Sequence, residues 1–161
     1  EDFFGLAIGG SLGSSKEEMY EVVDYTASKL FSNHPIHLLG IGDTADIWKL
    51  VRYGVDTFDC VSPTRLARHG AALVRKRVGK INLKNTKYKD ILAPIDDQCN
   101  CSTCKNYTLS YLHHLLKSEE LLGLSLITNH NMYFMNFLME FIRTSIEEDR
   151  FEIAENDWYL D

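Results

Sequence analysis

The sequence predicts an α/β protein built from parallel βα units, on two observations. Short apolar runs alternate with helical patterns over the first 61 residues, and glycines at positions 9, 10, 40, 42 and 54 punctuate them. Residues 3–8 read as a buried strand ending at Gly9-Gly10. Ser15 and Glu18 form a capping box that opens a helix running to about residue 31. Residues 36–41 read as a second strand that ends at Gly40 and Gly42, a helix over 44–53 is stopped by Gly54, and residues 55–61 read as a third strand.

In such folds the loops after the carboxyl ends of the strands open onto one face and hold the active site. Residues 9–15, 40–43 and 59–68 are therefore expected to converge. Three strands cannot close a barrel and would leave a parallel edge unpaired, so the chain reads as part of a barrel. A chain that opens at Glu1, without Met and directly before a strand, reads as a piece of something longer.

After Pro63 the pattern becomes alternating over 71–75 and 80–84, which predicts an antiparallel hairpin across Val78-Gly79. A cysteine-rich loop comes next. It is followed by a helix over 106–122 ended by Gly123, an extended run to residue 128, and a long helix from Asn129 or His130 to about 148.

The 45% hydrophobic and 25% charged content is that of a soluble globular chain and excludes global disorder. No run approaches the length of a membrane span and no signal-peptide pattern opens the chain, so the expected address is cytoplasmic, with no membrane partner. A net charge of −6 argues against indiscriminate coating of nucleic acid. The charge is uneven, however. Nine of the 17 basic residues lie between Arg65 and Lys89, where there is no Asp or Glu. A solvated hairpin surface and a landing site for phosphates explain this basic island equally well.

Cys99, Cys101 and Cys104 form C-x-C-x-x-C, placing three of the four cysteines within six residues. In a reducing compartment such a cluster reads as a metal site rather than a disulfide framework. Zinc takes thiolate and imidazole ligands tetrahedrally, and a closed site needs a fourth donor. His130, at the expected start of the long helix, is the candidate; His113 and His114 are alternatives that read more simply as packed or surface residues. Four protein ligands leave no position for substrate, so the expected cofactor is one structural Zn²⁺ per chain, with its binding free energy contributing to folding.

The run Phe58-Asp59-Cys60-Val61-Ser62-Pro63-Thr64-Arg65, followed by Arg68 and Gly70, resembles the queuine tRNA-ribosyltransferase (tRNA-guanine transglycosylase) family. Gly5-Leu6-Ala7-Ile8-Gly9-Gly10 resembles that family's G-x-A-[IV]-G-G loop, and Leu39-Gly40-Ile41-Gly42 its M-G-[VI]-G. The three cysteines, Tyr111-Leu112-His113-His114-Leu115 and His130-Asn131 match its zinc region in order and spacing, so the resemblance covers essentially the whole chain.

The resemblance implies the C-terminal part of a (β/α)8 TIM-type barrel with an inserted zinc-binding subdomain. Residues 1–90 would be barrel βα units plus the basic hairpin, 91–130 the zinc-binding subdomain, and 131–161 the last barrel helix and tail. The implied reaction exchanges the anticodon wobble guanine of a tRNA for queuine or its 7-aminomethyl-7-deazaguanine precursor, with Asp59 as nucleophile. The implied zinc ligands are Cys99, Cys101, Cys104 and His130, and the implied base site is Gly9, Gly10, Leu39 and Gly40. The implied tRNA-binding segments are Gly40, Ile41, Gly42, Asp43, Thr44, Ala45 and Asp46, and Thr64, Arg65, Leu66, Ala67 and Arg68. A homodimer around the zinc region is implied as well, and the apolar face of Met132, Met135, Leu138, Met139 and Ile142 would serve either that contact or the core.

The residue chemistry suits this expectation. Base exchange without backbone cleavage needs a covalent sugar intermediate, and a carboxylate is a suitable nucleophile toward an oxocarbenium-like anomeric carbon. Asp59 stands at a strand's carboxyl end; on its own an aspartate there reads as a turn or cap, and the motif around it is what implies catalysis. Gly9-Gly10 would admit backbone N–H groups to a purine's edge, besides making a tight turn. Arg65 and Arg68 carry donor forks suited to phosphates and base edges. Strand alternation points Cys60 away from Asp59, towards packing.

Two departures matter. Family members that take the aminomethyl precursor usually have Leu-Ala-Val-Gly-Glu after the double glycine, whereas this chain has Ser11-Leu12-Gly13-Ser14-Ser15, with Gly13 at the Val place; forms that accept queuine have glycine there, so the resemblance leans towards queuine. The family's other catalytic aspartate lies in a segment this chain lacks, so the 161 residues alone are expected to have no exchange activity. A noncatalytic zinc-containing partner of a transglycosylase is the alternative expectation.

Overall fold

The computed structural model describes residues 3–10, 12–30 and 33–159. Glu1, Ser11 and residue 31, which the sequence reading used, lie outside this set. The chain divides into two compact units, one ending at Ser62 and one beginning at Pro63.

The first unit is the expected βαβαβ series. Strands β1 (Leu6–Ile8), β2 (Ile36–Leu39) and β3 (Thr57–Asp59) alternate with helices α1 (Lys16–Lys29) and α2 (Thr44–Arg52). The sheet is parallel in the order β1-β2-β3, with Ile8 paired to Leu38 and Leu39 to Asp59. Gly9-Gly10, Gly40 and Asp59 therefore emerge at the same end of the sheet. Ile8, Met19, Val23, Ala27, Ile36, Leu38, Leu50 and Val55 form the core between sheet and helices. Each helix starts where its sequence provides an acceptor. The Ser15 side chain accepts from Glu18 N, and Asp43 accepts from Ala45 N. The capping box is shifted by one residue, because the Glu18 carboxylate reaches Ser14 N and Oγ at 2.6 and 2.9 Å.

The second unit begins with α3 (Ser62–Arg68). The sequence reading placed residues 59–68 in a loop after the third strand, but Ser62–Arg68 are helical: a proline in the first turn has no amide to lose and its φ already suits a helix. The expected antiparallel hairpin is present as β4 (Ala71–Leu73) and β5 (Lys80–Asn82), with Gly79 at φ 71° in its turn.

The expected order of helices beyond the cysteines needs correcting. Where two helices were expected, residues 102–147 hold three: α4 (Ser102–Asn106), α5 (Leu109–Lys117) and α6 (Leu121–Glu147). Thr108, whose hydroxyl accepts from Tyr111 N, caps α5. The reversal between α5 and α6 falls at Glu119, a non-glycine residue at φ 58°. Gly123 lies inside α6, where a Cβ would stand 3.0 Å from that of Leu115, so this glycine serves close helix packing rather than termination. The stretch expected to be extended is helical, and His130 sits well inside α6.

A final helix, α7 (Phe151–Trp158), was not foreseen. It buries Trp158 against Phe134, Phe137 and Phe141, all at centroid distances of 5.4–5.5 Å. The main core of this unit runs from Ala67, Ala72 and Leu83 through Leu112 and Leu116 to Ile127, and includes Cys101 and Cys104. Among the described residues no helix is long and apolar enough to cross a membrane.

Candidate metal centre and strand-end carboxylate

The metal centre is assembled from a turn, a short helix and a long one. Asp96 opens the turn, accepting from Gln98 N through its side chain and from Cys99 N through its carbonyl. Cys101 is the N-cap of α4, and its Sγ accepts from Cys104 N at 3.3 Å. One turn of helix thus faces Cys101 and Cys104 in one direction. α4 is fastened to α6 by Thr103, which donates to Leu126 O at 2.7 Å, and by Ser102, which donates to Asn129 Oδ1 at 3.0 Å.

His130 enters from α6 with no exposed surface. Its Nε2–H donates to Leu73 O at 2.9 Å, which leaves Nδ1 facing the sulfurs of Cys99, Cys101 and Cys104 at 3.7, 3.6 and 3.4 Å. A carbonyl on the far nitrogen is the usual device that fixes tautomer and orientation of a metal-binding histidine. The four donor atoms all lie within 4.8 Å of one another. A tetrahedral zinc ion bonded to sulfur and nitrogen would separate those atoms by ~3.6 Å, so the sulfur–nitrogen distances fit.

Electrostatics point the same way. The Cys99 thiol is pulled down to about 4, chiefly by the hydrogen bond from Cys104, whose own thiol is pushed up by that bond and by burial. Burial opposes a charged His130, but its hydrogen bonds with Cys101, Cys99 and Leu73 O outweigh this and raise it to about 9. A donor set that gathers negative charge on sulfur beside a proton-seeking nitrogen is one that a divalent cation completes. His113 and His114 take no part in the cluster: His113 is buried and donates from Nδ1 to Leu83 O at 2.8 Å.

Asn131, beside His130, has a structural task. Its Oδ1 accepts from Leu73 N at 2.9 Å, while Nδ2 donates to Pro63 O at 2.9 Å and Ala71 O at 3.1 Å. Adjacent residues of α6 thus satisfy both backbone groups of Leu73 and hold the start of α3. Arg65 and Arg68 are exposed on α3, three residues apart and so on one face, while Ala67 points into the core; Thr64 and Leu66 are half-buried. Part of the remaining basic island is structural. The Arg75 guanidinium lies 4.7 Å from the Trp158 ring, and Arg77 lies 4.9 Å from Tyr159.

In the first unit Asp59 ends β3 with its side chain 61% exposed. Its Oδ1 accepts from His37 Nε2 at 3.1 Å and from Gly40 N at 3.3 Å. Gly40 needs its glycine for a φ of 78°. Gly9 lies against Leu39, since a Cβ there would approach Leu39 Cδ1 to 2.5 Å, and Gly10 at φ 93° has open space on that side. The expected base-site residues Gly9 and Leu39 are in this way brought together, as are Gly40 and Asp59.

Gly42 packs on Cys60, whose Sγ accepts from Ser62 N, in keeping with a packing role for that thiol. In the segment from Gly40, Asp43 and Ala45 are exposed and Ile41 is half-buried. Thr44 and Asp46 are buried, and Asp46 accepts from Lys16 Nζ at 2.7 Å and Tyr20 OH at 2.6 Å. Gly13 adopts φ 97°, and a Cβ there would collide with Glu18 Cβ at 2.5 Å, so the turn itself demands this glycine. His37, Thr57, Tyr20 and Asn129 went unrecognised in the sequence. Alternation on β2 puts His37 on the face of Leu39, but its contact with β3 depends on a strand register that no local pattern reveals.

The profile of the queuine tRNA-ribosyltransferase family matches residues 1–161. The chain is 49% identical over 158 residues to a queuine tRNA-ribosyltransferase of Roseiflexus sp., covering 97% of this chain and 40% of the relative. It is 42% identical over 153 residues to that of Fusobacterium nucleatum, covering 94% of this chain and 40% of the relative. With one from Dehalococcoides mccartyi the identity is 47% over 158 residues, covering 98% and 40%. The chain thus spans about 40% of the length of the curated relatives it matches. With a match over its whole length and this identity to its relatives, the chain belongs to the queuine tRNA-ribosyltransferase family.

Proposed function

We propose that this chain is the C-terminal part of a tRNA-guanine transglycosylase that exchanges the wobble guanine of a tRNA anticodon for queuine or 7-aminomethyl-7-deazaguanine. The observation that carries this reading is the exposed Asp59 carboxylate at the carboxyl end of a parallel sheet, with Oδ1 held by two donors and Oδ2 without a hydrogen bond among the described residues. An Oδ2 lone pair forms a C–O bond with the ribose anomeric carbon as the carbon–N9 bond breaks, and that electron pair leaves with guanine, which takes up a proton. N9 of the incoming base then displaces the carboxylate and loses its proton. Gly9, Gly10, Leu39 and Gly40 line the base site, and Arg65 and Arg68 contact the anticodon loop. Unpaired anticodon bases are open to such readout.

In the whole protein the three strands complete a (β/α)8 barrel. Zinc, held by Cys99, Cys101, Cys104 and His130, supplies folding free energy and no reactive position. The enzyme works in the cytoplasm, where its tRNA is, as a homodimer. Met132, Met135 and Met139, which are not fully buried, are available for that contact, whereas Leu138 and Ile142 belong to the core.

In the full-length protein Asp59→Asn should abolish covalent trapping of tRNA on denaturing gels. Trapping at the wild-type level would discard Asp59 as nucleophile and favour a noncatalytic zinc-containing partner. The 161-residue chain alone should incorporate no labelled base. Competition between queuine and the aminomethyl precursor for the full-length enzyme decides the incoming base, since Gly13 also answers to its own turn.

A further inference from the structure

β3 carries Thr57 and Asp59 two residues apart, and therefore on one face of the sheet. In the register of the parallel pair His37 of β2 stands opposite Thr57 and Leu39 opposite Asp59. The two β3 side chains grip the imidazole at both ends: Nδ1 is 2.8 Å from Thr57 Oγ1 and Nε2 is 3.1 Å from Asp59 Oδ1. A carboxylate is acceptor-only, so Nε2 carries the proton and donates it to Oδ1. At the other end of the ring Nδ1 is hydrogen-bonded to the Thr57 hydroxyl, which can donate or accept and so holds the imidazole in place.

An exposed aspartate otherwise turns freely about its last torsion, whose energy profile is broad and roughly two-fold. Here His37 and the Gly40 amide both bind the same oxygen, Oδ1. We propose that His37 is a positioning residue for the nucleophile: with Gly40 N it fixes the plane of the Asp59 carboxylate through Oδ1, so that Oδ2 is the oxygen that bonds to the ribose. Thr57 acts one step further back, by holding the imidazole.

This inference rests on Asp59 being the nucleophile, and the test separates the two. In the full-length enzyme, the rate of covalent tRNA adduct formation in a single turnover is measured beside tRNA affinity for wild type, Asp59→Asn, His37→Phe, His37→Gln and Thr57→Val. Asp59→Asn should give no adduct. His37→Phe should slow adduct formation about 10- to 100-fold, the scale on which a misplaced reacting group loses rate, with tRNA affinity unchanged. His37→Gln, whose Nε2 can donate from nearly the same place, should recover most of that loss, which a merely structural histidine would not show.

Thr57→Val keeps the shape of the side chain and should slow the adduct several-fold. It therefore carries the test if His37→Phe does not fold, and wild-type rates in Thr57→Val would then count against the proposal. Wild-type rates in His37→Phe, with Asp59→Asn inactive, overturn the role of His37 and leave the nucleophile standing. A His37→Gln variant as slow as His37→Phe overturns the hydrogen bond as its means. Adduct formation by Asp59→Asn overturns both readings.

Discussion

The cysteine cluster and the strand-end carboxylate are built on opposite plans. Every donor of the cluster comes from the second unit, and Cys101, Cys104 and His130 are buried, with His130 wholly so. Asp59 has one oxygen anchored and most of its side chain in solvent. A site that contributes to folding can be closed by the chain it folds, because nothing needs to enter it once the metal is in place. A site that does chemistry on a large substrate has to stay open.

Metal removal gives the largest contrast between the two. Structural zinc binding is worth roughly 10–16 kcal/mol in small domains, as much as the whole stability of a typical domain, about 5–15 kcal/mol. Stripping the metal, or Cys104→Ser, should therefore abolish cooperative unfolding of the second unit in calorimetry, and elemental analysis should find one zinc per chain. An unchanged melting curve after complete removal would refute the structural role. Acid should release the metal too. Its ligands must be deprotonated to bind, so protons compete with the metal for the cysteines and His130 as pH falls.

Asn131 gives the next largest effect, and its test asks whether the cluster is closed by more than its ligands. Asn131→Ala removes one hydrogen-bond partner each from Leu73 N, Pro63 O and Ala71 O. An unsatisfied buried group costs ~1–3 kcal/mol, and because the three share one side chain their costs do not simply add, so a total of about 3 kcal/mol is expected. For a chain of this size that lowers the melting temperature by roughly 10 °C. Zinc should stay bound, since no ligand is touched. Loss of stoichiometric zinc in this variant would show that the β4 anchorage is part of the metal site itself.

The two sites also differed in how far they could be read in advance. Cys99, Cys101 and Cys104 declare themselves because ligand spacing within one turn of chain is local information. Asp59 was legible as a strand-end residue because the βαβαβ rhythm is carried by apolar runs and glycines. What was hidden depends on contacts distant in sequence or on ambiguous punctuation. Gly123 looked like a helix stop, although the left-handed residue that ends α5 is Glu119; consequently His130 was expected at a helix start rather than inside α6. Residues 59–68 looked like a strand-end loop, although Ser62–Arg68 form α3 with Pro63 in its first turn. The clamp of Thr57 and Asp59 on His37 required the strand register, and the burial of Asp46 required the packing of α1 against α2.

Asp46 supplies the smallest test, on the side of the molecule that the proposed reaction uses. It is buried at the start of α2, and its side chain accepts hydrogen bonds from Lys16 and Tyr20 of α1. Tyr20→Phe removes one of them and leaves Lys16 in place, so a loss of about 1 kcal/mol is expected, or roughly 2–4 °C in melting temperature. The Lys16 contribution should depend on pH with a definite sign. Its hydrogen bond to Asp46 raises it above the ordinary lysine value of 10.5, so its stabilisation is fully present below that value and fades as pH rises through the raised one. Lys16→Met should accordingly be less stable than wild type at neutral pH and approach it in strong alkali. A stability gap that stayed constant across that range would mean that Lys16 contributes through its packed stem rather than its charge.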